Sequence, residues 1–204
     1  MELPIFVKGL LIGLSIAAPV GPIGILCIRR TLSEGRLVGL ATGMGAASAD
    51  AIYGLIAGFG LTLITSMLVG QSQLIRCIGG LFLCYLGIQT LSSRPAEREA
   101  QVTGEKLLGA YSSSLFLTLT NPMTILSFIG IFAGLGIASQ TDLASCLVLV
   151  LGVFLGSAGW WIGITHLIAT IRHRLAAQHL RWINIASGLI ILTFGVGALL
   201  SLLG

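Results

Sequence analysis

Residues 18–22 read Ala18-Pro19-Val20-Gly21-Pro22, two prolines and a glycine in the middle of an otherwise unbroken apolar run from Ile5 to Ile28. The flanks, residues 9–17 and 23–28, are with the break between them long enough to cross a bilayer core at about 1.5 Å per residue. Pro19 cannot donate to the carbonyl of Ser15, nor Pro22 to that of Ala18, and each ring crowds the preceding turn. Lipid supplies no replacement donor, so irregular backbone at membrane depth must face protein or a water-filled cavity. The stretch therefore predicts a first membrane helix broken near its centre. Such a break either shapes helix packing, as proline kinks do, or builds a substrate site, as discontinuous helices do in secondary transporters.

The rest of the chain supports a membrane reading. Of 204 residues, 55% are hydrophobic and 9% charged, and the mean hydropathy is +1.02. Apolar segments fall at roughly 5–28, 37–66, 74–92, 108–137, 143–171 and 182–203, each of spanning length. Only the first and fourth carry interior proline, Pro19 with Pro22 and then Pro122. That recurrence divides the chain into a three-helix repeat over 1–92, a polar linker over 93–107 and a second three-helix repeat over 108–204. An odd number of spans per half makes the repeat inverted. Laying Gly80 on Gly188 also pairs Gly87 with Gly195. The expected fold is an all-α membrane protein of six transmembrane helices, the first of each repeat broken at proline.

Charge sets the expected orientation. Nine of the eleven basic residues, Arg29, Arg30, Arg36, Arg94, Arg98, Lys106, Arg172, Arg174 and Arg181, follow segments one, three and five; Lys8 and Arg76 lie on the other side. By the positive-inside rule the linker is cytoplasmic and both termini are periplasmic. Arg29 and Arg30 are expected at the cytoplasmic end of segment one as topology signals, with attraction of a carboxylate as a second role. The net charge of +4 thus belongs to topology, and no nucleic-acid partner is implied. The N-terminal segment resumes after Pro22 and reads as a retained span rather than a signal peptide. Small residues four apart, such as Gly9 with Gly13 and Gly152 with Gly156, predict close helix packing and would also support a homodimer.

Asp50 is the one acidic side chain deep in a span. Insertion scales penalise an Asp at a helix centre by about 2.5–3.5 kcal/mol, so it needs a cavity, a partner or a proton. A site that opposes its charge suits reversible protonation, and the same carboxylate could face a substrate ammonium. The alternative is an Asp hydrogen-bonded across helices to hold the bundle. Thr120-Asn121-Pro122 is the counterpart of the first break: Pro122 releases the carbonyl of Thr118, and Asn121 either caps the following half-helix or contacts substrate. Half-helix N-termini after Gly21 and Asn121 would favour an anionic group. The expected substrate site is therefore Pro19, Gly21, Pro22, Asp50, Thr120, Asn121 and Pro122, with Asp50 as proton-coupling residue. Weaker expectations for the cavity wall are Ser48, Tyr53, Trp160, Trp161 and His166.

Several classes lack support. The four cysteines, Cys27, Cys77, Cys84 and Cys146, show no C-x-x-C or zinc-like spacing. Neither H-E-x-x-H, a P-loop nor G-x-S-x-G occurs, so neither an intramembrane metalloprotease nor an ATP-driven pump has support, and no enzyme is expected. No metal site or cofactor is expected.

Gly21-Pro22, the run Arg29-Arg30-Thr31-Leu32-Ser33-Glu34-Gly35-Arg36, the Gly-rich helix leading to Asp50, and Asn121-Pro122 together resemble the lysine exporter superfamily, in its homoserine and threonine exporter branch. The resemblance covers essentially the whole chain. It implies a bacterial inner-membrane exporter of amino acids or related metabolites, driven by the proton gradient and without a cofactor. Two positions depart from the family's pattern: Val20 stands before Gly21 where Pro-Gly-Pro is usual, and Met123 follows Asn-Pro where many members have Lys or His. Within the same superfamily a heavy-metal or other cation exporter is the alternative, favoured by more Cys, His and carboxylate inside the spans than this chain has. A membrane thiol-disulfide electron carrier would need cysteines beside both breaks.

Overall fold

Both proline motifs are places where one helix ends and another begins. The computed structural model describes residues 4–19, 21–58, 70–92, 103–135, 143–172 and 177–202, which contain eight helices and no strand. These are α1 (Ile5–Ala17), α2 (Pro22–Glu34), α3 (Arg36–Gly58), α4 (Ser72–Ser92), α5 (Gly104–Leu119), α6 (Pro122–Leu135), α7 (Leu143–Arg172) and α8 (Ala177–Leu200). Pro22 and Pro122 each occupy the first helical position, where a missing N–H costs nothing and a fixed φ favours the helix. Helices α3, α4, α7 and α8 are long and apolar enough to cross a membrane singly. The pairs α1–α2 and α5–α6 qualify jointly, bent at their breaks, the second by 61°, which gives up to six spans. The expected segment ends at 59–66 and 136–137, and residues 93–102 of the linker, lie outside the described residues. Helix α5 starts earlier than its apolar run because Thr103 caps it, accepting from the Lys106 N–H.

Lipid tails are as apolar as leucine, so close backbone contact rather than burial must hold such helices together. Glycine provides it. A Cβ at Gly9 would strike the carbonyl of Leu149, and one at Gly156 the carbonyl of Leu10, so α1 lies in van der Waals contact along α7. Gly45 of α3 sits on the Tyr111 carbonyl of α5 in the same way, and Gly80 and Gly87 of α4 face Gly195 and Gly188 of α8. Residue numbers rise together in the first two pairs and oppositely in the third. Hence α1 runs parallel to α7, α3 parallel to α5, and α4 antiparallel to α8.

These directions sort the charges. Arg172 Nε donates to the Leu32 carbonyl (2.9 Å), Arg29 Nε to Asn184 Oδ1 (3.3 Å), and Lys106 Nζ lies 3.4 Å from Glu34 Oε2. The last turns of α2 and α7 and the first turns of α5 and α8 thus share one end, here the basic end. The starts of α1, α4 and α7 and the finish of α8 share the other, with Lys8 and Arg76.

Arg29 and Arg30 lie at this basic end of segment one, as expected, but are buried there. They belong to the last two turns of α2 and are each only 7% exposed. The helix continues past its apolar run to Glu34 and stops at Gly35, whose φ of 109° is the only positive value among the described residues. That left-handed geometry suits glycine and turns the chain directly into α3. Between the two ends, Ile23, Leu26, Leu83, Leu86, Leu117 and Trp161 form a buried apolar layer.

Candidate functional site

At the second break the carbonyls that Pro122 and Met123 leave free find other donors. The carbonyl of Thr118, which Pro122 cannot reach, accepts from the Asn121 N–H (3.2 Å). The next carbonyl, Leu119, accepts from the Tyr53 hydroxyl of α3. Asn121 Oδ1 takes the Met123 N–H (3.1 Å), and its backbone carbonyl takes those of Thr124 (3.1 Å) and Ile125 (3.3 Å). Thr120 turns its hydroxyl back onto the Phe116 carbonyl (2.9 Å). Asn121 is therefore a cap for α6, with its amide nitrogen left over.

Among the described residues the first break is open by comparison. Ala18 closes α1 through its N–H to Leu14 (3.0 Å), and Gly21 precedes α2 in an extended conformation with no side chain to cap it. The Ile25 N–H reaches the Gly21 carbonyl (3.1 Å). The N–H groups of Ile23 and Gly24 have no acceptor within their own helix, as first-turn donors never do. Open space surrounds the Gly21 Cα where a side chain would stand. The positive end of α2 is thus the more available of the two half-helix termini.

Asp50 closes the constellation. Its side chain is 3% exposed and accepts from Ser157 Oγ of α7 at 2.6 Å. Among the described residues no cation lies within ion-pair distance of it. Pro19, Gly21, Pro22, Asp50, Asn121 and Trp161 border one cavity of about 70 Å³. The indole Nε1 of Trp161, buried, has no hydrogen-bond partner among the described residues. So one wall offers a carboxylate and the others offer N–H donors. Room for a few waters is present. The same Pro19, Gly21, Pro22 and Asn121 also line a cavity of about 880 Å³ that extends along α4, α6 and α8 toward Arg76 and Ser201. That volume lies in the range of small-molecule sites, about 300–1,000 Å³.

Of the residues expected at the site, Thr120 and Pro122 line only the wider cavity. Ser48 serves elsewhere, accepting from the Tyr111 hydroxyl (2.8 Å) and donating to Met44 (2.9 Å), which ties α3 to α5. Tyr53 acts on the site indirectly through Leu119. Trp160 packs against the apolar layer, and His166 lies on the exposed face of α7. Ser157 was not singled out from the sequence, nor were Thr118 and Thr124, which border the small cavity. The signal for Ser157 is weak: a small polar residue after Gly156 in an apolar helix, level with α3 when Gly156 is laid on Gly45. Among the described residues no three His, Cys, Asp or Glu side chains converge as metal ligands. The thiol of Cys27 is engaged by the Gly39 carbonyl and Thr165.

A family model described as LysE type translocator matches residues 14–202. A Bacillus subtilis protein provisionally named for amino acid efflux, YcgF, is 28% identical over 196 residues, covering 94% of this chain and 93% of its own length. The Escherichia coli membrane protein YahN is 28% identical over 84% of this chain and 77% of its own. The threonine efflux protein of Salmonella typhimurium is 24% identical, with 89% and 90% covered. No solved structure matches the chain.

Proposed function

The chain belongs to the LysE type translocator family, and on that premise we propose that it exports an amino acid or related small metabolite, with Asp50 coupling the movement to protons. The observation that carries this reading is convergence: both helix breaks and Asp50, distant in sequence, border one small cavity. The carboxylate faces a substrate ammonium or takes a proton, while the open α2 terminus and the Trp161 N–H receive a carboxylate. A zwitterion presents both groups. The two roles of Asp50 are mutually exclusive at any instant, which is what an antiporter requires: proton arrival displaces the ammonium. Relatives named for amino acid and threonine efflux agree with this chemistry.

An inverted repeat of 1–92 and 108–204 supplies the mechanical side of the proposal. If Gly80 corresponds to Gly188 and Gly87 to Gly195, a two-fold relation requires the contact of Gly80 with Gly195 to be mirrored by one of Gly87 with Gly188, and both occur. The packing of α1 on α7 is likewise mirrored by that of α5 on α3. The basic end faces the cytoplasm in this reading, and the wide cavity opens to the periplasm. The leucine layer beneath the small cavity closes the cytoplasmic route, and rocking of one repeat against the other would open it. The setting is a bacterial inner membrane, with both termini periplasmic.

The experiment is efflux from vesicles containing the full chain, loaded with a mixture of labelled amino acids under an imposed proton gradient. Release of one or a few amino acids, faster with the gradient than without it, is expected. If the vesicles retain all of them while releasing another solute class, the amino-acid reading is wrong.

A further inference from the structure

A third cavity, of about 520 Å³, lies at the basic end between α2, α4 and α5, apart from the breaks and Asp50. Its wall carries Arg29, Arg30 and Lys106 against the single carboxylate of Glu34. Glu34 is already engaged twice, by Arg29 Nη1 at 2.8 Å and by Lys106 Nζ at 3.4 Å. Arg30 has no such partner. Its guanidinium donates to Thr42 Oγ1 (3.2 Å), the Ala110 carbonyl (3.1 Å) and Ser113 Oγ (2.9 Å), all neutral oxygens. No carboxylate among the described residues lies within ion-pair distance of it. A guanidinium has five N–H donors, so two remain.

Burying a cation whose direct hydrogen bonds all go to neutral groups is costly, with Glu34 acting on it only from beyond ion-pair distance, and such a residue marks a ligand or ion path. We propose that this cavity is a carboxylate-binding site, with Arg30 as its principal ligand and Lys106 at its mouth, where the substrate is first held on its way from the cytoplasm. The inference rests on the amino-acid export reading and adds to it a second site on the same helix. Arg30 and Pro22 are eight residues apart on α2, about 12 Å at the helical rise. A zwitterion released by Arg30 thus travels along α2 toward the uncapped terminus and Asp50, across the apolar layer that separates the cavities. Guanidinium suits the task because its planar fork matches a carboxylate. An anionic lipid headgroup presents related chemistry at the same end of the bundle, so the two sources must be told apart.

The test uses the full chain in vesicles, with L-threonine and L-threoninamide as probes alongside the labelled amino-acid mixture, and substrate supplied on the face that carries Arg30. In the wild type the amide, lacking the carboxylate, should need a higher half-saturating concentration than the acid. Arg30→Gln should raise the value for the exported amino acid about tenfold or more, the usual scale for losing a charge-assisted hydrogen bond, and leave the amide unchanged. Arg30→Lys should fall between, and Lys106→Gln, at a partly exposed position with little burden on the fold, should raise it a few-fold. Equal half-saturation for the wild type, Arg30→Gln and Lys106→Gln in vesicles that do export amino acids overturns this site alone. Release of no amino acid overturns the export reading and this site with it. Vesicles of phosphatidylcholine with and without phosphatidylglycerol separate the sources: an Arg30→Gln effect seen only with phosphatidylglycerol assigns the cavity to a headgroup and overturns the substrate assignment.

Discussion

The Tyr53 hydroxyl of α3 donates to the carbonyl of Leu119, the oxygen stranded where α5 gives way to α6. A side chain three residues beyond Asp50 on the same helix thereby holds the second break in register with the carboxylate. Tyr53→Phe leaves that carbonyl bare in an apolar setting, with an expected loss of about 1–3 kcal/mol. Thermal unfolding of the purified protein in detergent should show a lower midpoint. An unchanged midpoint would mean that another group, or water, satisfies Leu119.

Asn121 separates two roles by substitution. Its Oδ1 caps the Met123 N–H, so Asn121→Ala should cost about 1 kcal/mol, while Asn121→Asp keeps the acceptor and the stability. Asn121→Asp nevertheless places a charge on the cavity wall and should impair transport of a zwitterion's carboxylate. Thermal midpoints and efflux rates on the same preparations distinguish the cap from the substrate contact.

Trp161 offers a cleaner comparison. Its indole nitrogen has no partner among the described residues, so Trp161→Phe should leave the thermal midpoint near or above that of the wild type. Half-saturation for the exported solute should rise several-fold if the N–H serves the substrate. Identical transport would make Trp161 a packing residue.

Glycine contacts give a prediction about folding alone. A Cβ at Gly13 would overlap the Val153 carbonyl, whereas Gly163 of α7 has open space around it. Gly13→Leu should therefore force α1 off α7, by more than the 1–3 kcal/mol typical of overpacking because backbone is what yields. Gly163→Leu should be well tolerated. Size-exclusion profiles in detergent report both.

The breaks were legible because proline acts locally: a missing N–H and a crowding ring have the same effect in any fold, so Pro22 and Pro122 could be read as helix starts. Asp50 was legible because one carboxylate in an apolar span requires compensation wherever it lies. Its partner was not, since the choice of Ser157 depends on α3 crossing α7, which periodicity does not encode. Tyr53, a weaker expectation for the cavity wall, acts one step away because the Leu119 carbonyl takes its hydroxyl. Arg29 and Arg30 illustrate a different limit. Orientation rules count charges near span ends and say nothing of their depth, so two residues read as topology signals are buried at 7% exposure in the last turns of α2.

In the proposed export cycle Asp50 links proton movement to substrate movement. The most direct measurement is substrate efflux from vesicles carrying wild-type or Asp50→Asn protein, with and without an imposed proton gradient, in preparations matched for thermal midpoint. Wild-type efflux should accelerate with the gradient, and efflux by Asp50→Asn should be indifferent to it. An Asp50→Asn protein that still responds to the gradient as the wild type does would contradict the account and leave Asp50 a bond between α3 and α7.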